Sequence, residues 1–282
     1  MYNYKKVIGG KSMRKIGIII LSVIMVFALF TGCGSNSKSS NNETDNSLQR
    51  VKDSGKLSIG LDDSYPPMEF RNDKNELEGF DIDLGKELAK KLGVKYNPVV
   101  TDFNGIILAL QSGKFDAILA TLSITDERKK NIDFVGPYIN GGQIIVVKSG
   151  NKSMSTKEDL KGKVVGVQLG STGEQAAGKI EGIKEIKKYD KITEAFHEVN
   201  IGRVDALICD SEVGEYYVAK DKVNYTVLKD KLTKEPVGIG VKKKDKKLQE
   251  ALNKALDDLK KDGTLSKLSI KWFGHDIYKE SN

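Results

Sequence analysis

The sequence predicts an α/β protein in which parallel or mixed sheets are covered by helices, and three observations carry that prediction. Short apolar runs rich in β-branched residues alternate with amphipathic stretches of helical period from about residue 48 to the end. The 282 residues can bury a core without covalent staples, as one large domain or as two lobes. One short segment also occurs twice at a helix-to-strand junction, as expected of a device serving two sheets.

The elements follow in chain order. Lys11, Arg14 and Lys15 precede the apolar run Ile16 to Phe30, which ends at Thr31-Gly32-Cys33. A membrane span takes about 20 apolar residues; this shorter run, with its basic start and small-residue end, reads as an export signal over residues 1–32. Met13 is an alternative start. Residues 33–47 are almost wholly polar from Ser35 onward and are expected to form a flexible tether. Cutting before Cys33 removes five of the 46 basic side chains and none of the 39 acidic ones, so the net charge falls from +7 to +2. That balance, with Lys and Glu alternating along solvated faces, argues against a nucleic-acid partner. Cys209 is then the one cysteine besides Cys33, which leaves no disulfide framework.

Strands are expected at Leu57-Ser58-Ile59, Asp116 to Leu119, Gln143 to Val147, Val164 to Gln168, Val204 to Ile208 and Val237 to Val241. A helix over Asp81 to Leu92 puts Leu84, Leu88 and Leu92 on one face and stops at Gly93, a left-handed cap. Leu248 to Leu259 repeats that logic with Leu252, Ala255, Leu256 and Leu259 inward. The internal echo pairs Gly113-Lys114-Phe115-Asp116-Ala117-Ile118-Leu119 with Gly202-Arg203-Val204-Asp205-Ala206-Leu207-Ile208. Each copy places a polar residue just beyond its strand, Thr121 and Asp210, at the carboxyl edge where open α/β sheets take ligands.

Candidate binding groups gather at these edges. Arg128, in Thr121-Leu122-Ser123-Ile124-Thr125-Asp126-Glu127-Arg128, is either a solvated surface residue or a fork that clamps a carboxylate with two parallel hydrogen bonds. Ser123 adds a hydroxyl and an amide at the helix entrance, and Thr125 fits the N-cap. Gln168 closes a strand, and Gly170-Ser171-Thr172-Gly173 follows it. That turn is either an ordinary strand-to-helix connection capped by Thr172, ahead of a helix starting near Glu174, or an anion cradle from the Ser171 and Thr172 amides. It lacks the Lys of a phosphate loop, so nucleotide is disfavoured. Asp210 reads as a helix cap or as the acid for an ammonium group. Asp62, Asp63 and Tyr65 follow the first strand, and Tyr65 with Phe103 would wall an apolar or cationic side chain. A cation with amide donors, a carboxylate and a shaped wall are what a free amino acid requires. For catalysis the chain offers His197 in mid-helix, His275 near the tail and Cys209 in an apolar strand, which make neither an acid-base set nor a metal cluster.

These residues stand in a recognisable order. Asp62 to Phe70, Gly79-Phe80-Asp81-Ile82-Asp83-Leu84, Leu110 to Ala117, Ser123 to Arg128, Asp133-Phe134 with Pro137-Tyr138, and Lys271-Trp272-Phe273-Gly274 resemble the polar amino acid substrate-binding proteins of ABC importers. The resemblance implies a two-lobed, periplasmic-binding-protein-like type II fold with two hinge strands: residues 48–141 and 236–282 as one lobe, 142–235 as the other. It implies that Arg128, Ser123 and Thr172 hold an α-carboxylate, Asp210 and Ser123 an α-ammonium, Tyr65 and Phe103 the side chain, and Asp62 its polar end. Thr121, Gln168 and Ser171 would complete the site. Phe103 stands where many members carry tryptophan, and Ala120 where several carry a polar residue. Phe30-Thr31-Gly32-Cys33 resembles a bacterial lipobox, which implies a lipid on Cys33 at the outer face of the cell membrane. The expectation is a monomeric receptor, without cofactor, metal or catalysis, that hands its ligand to permease subunits. Asp62 with the aromatic walls favours a cationic side chain; glutamine and cystine stay open as ligands. A dehydratase on the same scaffold and a sensing partner for a membrane receptor are the alternatives in function.

Overall fold

The computed structural model describes residues 45–221 and 223–279. The expected export signal, Cys33 and the tether to Thr44 lie outside the described residues. The chain opens with α1 (Ser47–Ser54), β1 (Lys56–Leu61), β2 (Ser64–Tyr65), β3 (Glu69–Arg71), β4 (Leu77–Glu78), α2 (Phe80–Lys91) and β5 (Lys95–Val100). It continues through α3 (Ile106–Gln111), β6 (Ala117–Ile118), α4 (Asp126–Asn131), β7 (Asp133–Gly141), β8 (Gln143–Lys148), β9 (Val164–Gln168), α5 (Thr172–Gly178) and β10 (Glu185–Tyr189). It ends with α6 (Ile192–Asn200), β11 (Ala206–Asp210), α7 (Ser211–Lys220), β12 (Tyr225–Lys231), β13 (Glu235–Val241), α8 (Lys246–Lys261) and α9 (Thr264–Phe273).

Two five-stranded sheets, ordered β5-β1-β6-β13-β7 and β10-β9-β11-β8-β12, form two lobes, and a three-stranded sheet β2-β3-β4 flanks the first. The large sheets share one pattern. In each, three neighbouring strands are parallel (β5, β1, β6 and β10, β9, β11), and the next two pairings are antiparallel. The sequence echo sits at the same place in both. Gly113 and Gly202, with φ of 82° and 75°, each close a helix with the two-bond left-handed cap: Gly113 to Leu110 and Lys114 to Ala109, then Gly202 to Val199 and Arg203 to Glu198. The following aspartate then exchanges bonds with the neighbouring strand. The Asp116 amide donates to the Ser58 carbonyl while its carboxylate accepts from the Ser58 amide (3.0 Å), and Asp205 does the same with Val164 (2.8 Å). Because the caps and aspartates occupy the first residues, β6 and β11 begin at Ala117 and Ala206, later than Asp116 and Val204.

The amphipathic faces are buried as their period requires. Leu84 and Leu88 of α2 and Leu248, Leu252, Leu256 and Leu259 of α8 are at most 5% exposed and share one cluster. Asp45 to Ser47, assigned to the tether by their polarity, are instead docked on α8. The Asp45 carboxylate accepts from the Lys247 amide (2.6 Å) and the Ser47 hydroxyl from the Leu248 amide (3.0 Å), which supplies partners to orphan donors of the first turn.

The chain passes from the first sheet to the second between β7 and β8 and returns between β12 and β13. The two crossings are tied together: the Gln143 amide donates to the Thr233 hydroxyl (2.8 Å) and the Leu232 amide to the Gln143 carbonyl (2.8 Å). Gly142 permits this approach, since a Cβ there would lie 2.1 Å from the Thr233 carbonyl oxygen.

Candidate functional site

The carboxyl edges of the two sheets meet. From the first lobe, the segment after β6 carries Ala120, Thr121 and Ser123 and leads into α4, whose N-cap is Thr125; its hydroxyl accepts from the Arg128 amide. Arg128 is therefore fixed one turn into α4 and is 7% exposed, which discards the solvated alternative. Its guanidinium donates to the Ser123 carbonyl (2.9 Å) and, across to the second lobe, to the Gly170 carbonyl (3.2 Å), and lies 5.6 Å from the centre of the Phe103 ring. Five N–H groups and two such bonds leave donors over. Burial lowers the pKa of this guanidinium.

From the second lobe, Ser171 caps α5 by accepting from the Glu174 amide (3.1 Å), so the cap is Ser171 and the helix begins at Thr172, two residues before its expected start. The Thr172 hydroxyl is freed and meets the Ser123 hydroxyl (3.3 Å) and the Gln143 side-chain amide (3.0 Å). Asp210 occupies the N-cap position of α7 but makes no side-chain cap bond. Its carboxylate accepts instead from the Tyr65 hydroxyl of the first lobe (2.5 Å) and from Gln143 Nε2 (2.7 Å). Burial pushes Asp210 up to about 6 and the Tyr65 phenol well above its ordinary value.

These groups enclose a cavity of about 10 Å³ lined by Tyr65, Phe103, Ala120, Thr121, Ser123, Arg128, Gln168, Ser171, Thr172 and Asp210. That is room for about one water-sized sphere, so the side chains of the two lobes fill the space between them and an entering molecule must part them. Asp62 is the expected residue that does not line it. Its carboxylate, 4% exposed, accepts from the Ser64 amide (3.0 Å) and hydroxyl (2.7 Å) and from Gln168 Nε2 across the lobes (2.7 Å). Burial raises its pKa. Thr121 holds a left-handed φ of 47° and turns its hydroxyl away to Glu69 (3.3 Å). Behind it Glu69 and Asp81 are both buried, which pushes Asp81 up to about 7 and Glu69 well above its usual range.

Gln143 was not singled out in the sequence, yet it joins Asp210 to Thr172 and leaves its own Oε1 buried without a donor. The signal was a lone polar residue opening the apolar run of β8, opposite Asp210 in the antiparallel register. A larger groove of about 830 Å³ lies elsewhere between the lobes, among Phe70, Arg71, Lys191, Tyr216, Lys220 and Trp272. It is open and carries charges of both signs, whereas the small cavity is enclosed by converging buried polar groups. His197 and His275 are exposed, Cys209 is 2% exposed, and no metal-ligating cluster occurs among the described residues.

Comparison with known proteins agrees with this architecture. The profile of the bacterial extracellular solute-binding proteins, family 3, matches residues 57–275. The L-cystine-binding protein TcyJ of Escherichia coli (strain K12) is 36% identical over 234 residues, 82% of this chain and 88% of that protein. The arginine-binding extracellular protein ArtP of Bacillus subtilis (strain 168) is 35% identical over 266 residues, 93% of this chain and 98% of that protein. Among solved structures, an ancestral arginine-binding protein bound to arginine superposes with a TM-score of 0.75 at 48% identity, covering 78% of this chain and 98% of that one.

Proposed function

The chain belongs to the bacterial extracellular solute-binding proteins of family 3, and from that premise we propose that it captures a polar amino acid with a cationic side chain by closing its lobes and delivers it to an ABC importer. The observation that carries the reading is the convergence of Arg128 from one lobe and Asp210 from the other on one enclosed cavity. A zwitterion brings the opposite charge to each. In this reading Arg128, Ser123 and Thr172 hold the carboxylate, Asp210 and Ser123 the ammonium, and Tyr65 and Phe103 the side chain, with Thr121, Gln168 and Ser171 completing the wall. Asp62 would leave Gln168 to meet a cationic end. The lobes are taken as 48–141 with 236–282, and 142–235, a division the two-sheet topology supports.

Only the closed form offers both charges, so ligand and closure stabilise each other. Charge-assisted bonds of about 1.5 to 3 kcal/mol each, less the cost of immobilisation, suffice for the roughly −8 kcal/mol of a micromolar receptor. A lipid on Cys33 would hold the chain at the outer face of the membrane, and binding rather than catalysis is its role. Glutamine or cystine is the second reading, favoured by the engagement of Asp62 within the protein. A thermal-shift panel followed by calorimetry decides. Arginine, lysine, ornithine or histidine should give the largest shift; glutamine or cystine leading would overturn the cationic preference, and no shift with any amino acid would overturn the function.

A further inference from the structure

Behind the cavity wall lies a buried carboxyl pair that the binding reading does not use. Glu69 on β3 and Asp81 at the start of α2 are each 1% exposed. One oxygen of each is engaged. Asp81 Oδ2 accepts from the Thr121 amide (2.9 Å) and the Tyr138 hydroxyl (2.9 Å), and Glu69 Oε2 accepts from the Thr121 hydroxyl (3.3 Å). The remaining oxygens, Glu69 Oε1 and Asp81 Oδ1, are buried and receive no donor from any neighbour, while the engaged oxygens bond to the amide and the hydroxyl of the same residue, Thr121, which brings the two carboxyls together. Two carboxylate oxygens bond only through a proton, and like charges in contact in a buried site do not both ionise. The other titratable groups that interact with the pair are Asp62, Tyr65, Tyr96, Tyr138 and Tyr278, which are acids and offer no counter-charge.

What the pair holds is Thr121. A β-branched residue at φ 47° is strained and persists only where its surroundings fix it; here the amide and the hydroxyl are both taken by the pair. Thr121 lies between Ala120 and the Ser123 that accepts from Arg128, all on the cavity wall.

We propose that Glu69 and Asp81 are positioning residues that share a single proton, and that this proton keeps Thr121 in its strained conformation and so sets the wall that carries Ser123 and Arg128. The link to affinity rests on the binding function proposed above; the shared proton does not. With one proton the two carboxyls bond through it; with none their charges repel, and with two a second O–H is left needing an acceptor in a buried site.

Isosteric amides imitate these states. In Asp81→Asn the carbonyl still accepts from Thr121 and Tyr138 while the NH2 donates to Glu69 Oε1, a permanent substitute for the proton. Glu69→Gln does the same from the other side. The double variant E69Q/D81N turns two NH2 groups on each other or one of them on the Thr121 amide. We expect each single variant to melt within about 2 °C of the unchanged chain and to bind L-arginine within about threefold of it in calorimetry. The double variant should melt at least about 6 °C lower and bind at least about tenfold more weakly, or fail to fold. A double variant as stable as the singles, or a single variant as damaged as the double, overturns the shared proton. The full pattern of melting in a chain that binds no amino acid upholds the pair and overturns the binding reading. Unchanged arginine affinity in a folded double variant of lowered melting temperature overturns the positioning of the wall.

Discussion

Removing the Arg128 side chain should abolish tight binding while sparing the fold. Arg128 is 7% exposed, and its guanidinium is held at 2.9 Å and 3.2 Å by two carbonyls, with Phe103 beneath it. Opening of the lobes frees the contact to Gly170, and the fork can then take both oxygens of a carboxylate. Two charge-assisted bonds are worth about 1.5 to 3 kcal/mol each, and each 1.4 kcal/mol is about tenfold in affinity. Arg128→Ala should therefore weaken amino acid binding by about 10² to 10⁴-fold. The folded protein loses two bonds to carbonyls but also relieves the burial of a cation, so its melting temperature should move by only a few degrees. Arg128→Lys keeps the charge without the fork and should fall between the two. Calorimetry with L-arginine at pH 7.5, alongside melting curves, measures both. A folded Arg128→Ala chain that binds within about threefold of the parent refutes the clamp.

Four further outcomes follow from the structure. Asp210, raised by burial from 3.8 to about 6, must be ionised to meet an ammonium; arginine affinity should be flat above about pH 7 and fall by up to about tenfold per unit below pH 6, a dependence that Asp210→Asn removes. For the protein alone the sign is opposite, because the folded state binds the proton more tightly: Asp210 contributes stability below pH 3.8 that is lost as the pH rises through about 6, visible as a melting temperature that Asp210→Asn makes less pH-dependent. Gly113→Ala and Gly202→Ala meet nothing within 4 Å, so each should lose about 1 kcal/mol for the left-handed backbone alone, with denaturant midpoints moving alike; unequal shifts would contradict the shared cap. Gly79→Ala, whose Cβ would lie 2.1 Å from the Met68 carbonyl oxygen at φ 137°, should cost more than either.

Much of this architecture was legible in the sequence because it is written in local chemistry. Leucines at helical spacing place α2 and α8, and the Gly-basic-apolar-Asp-Ala repeat places β6 and β11 in equivalent positions of two sheets. What was not legible depends on partners distant in the chain. Thr172 reads as the cap until the backbone shows that Ser171 accepts from the Glu174 amide. Asp210 reads as a cap or as a ligand-binding acid until Tyr65, 145 positions earlier, takes its carboxylate. Gln143 gains its place only from antiparallel pairing with β11, and Asp62 is drawn off the cavity by Gln168 of the opposite lobe. The docking of Asp45 to Ser47 was hidden for a related reason: short polar residues read as tether unless the helix end they cap is known.

A crystal structure of the chain saturated with L-arginine tests the central claim most directly. The account predicts the ligand between the sheets, with Arg128 N–H groups about 2.7 to 3.2 Å from its α-carboxylate and the Asp210 carboxylate on its α-ammonium. Arginine seated in the groove beside Phe70, Tyr216 and Trp272, with Arg128 still on the Gly170 carbonyl and Asp210 still on Tyr65, would contradict it.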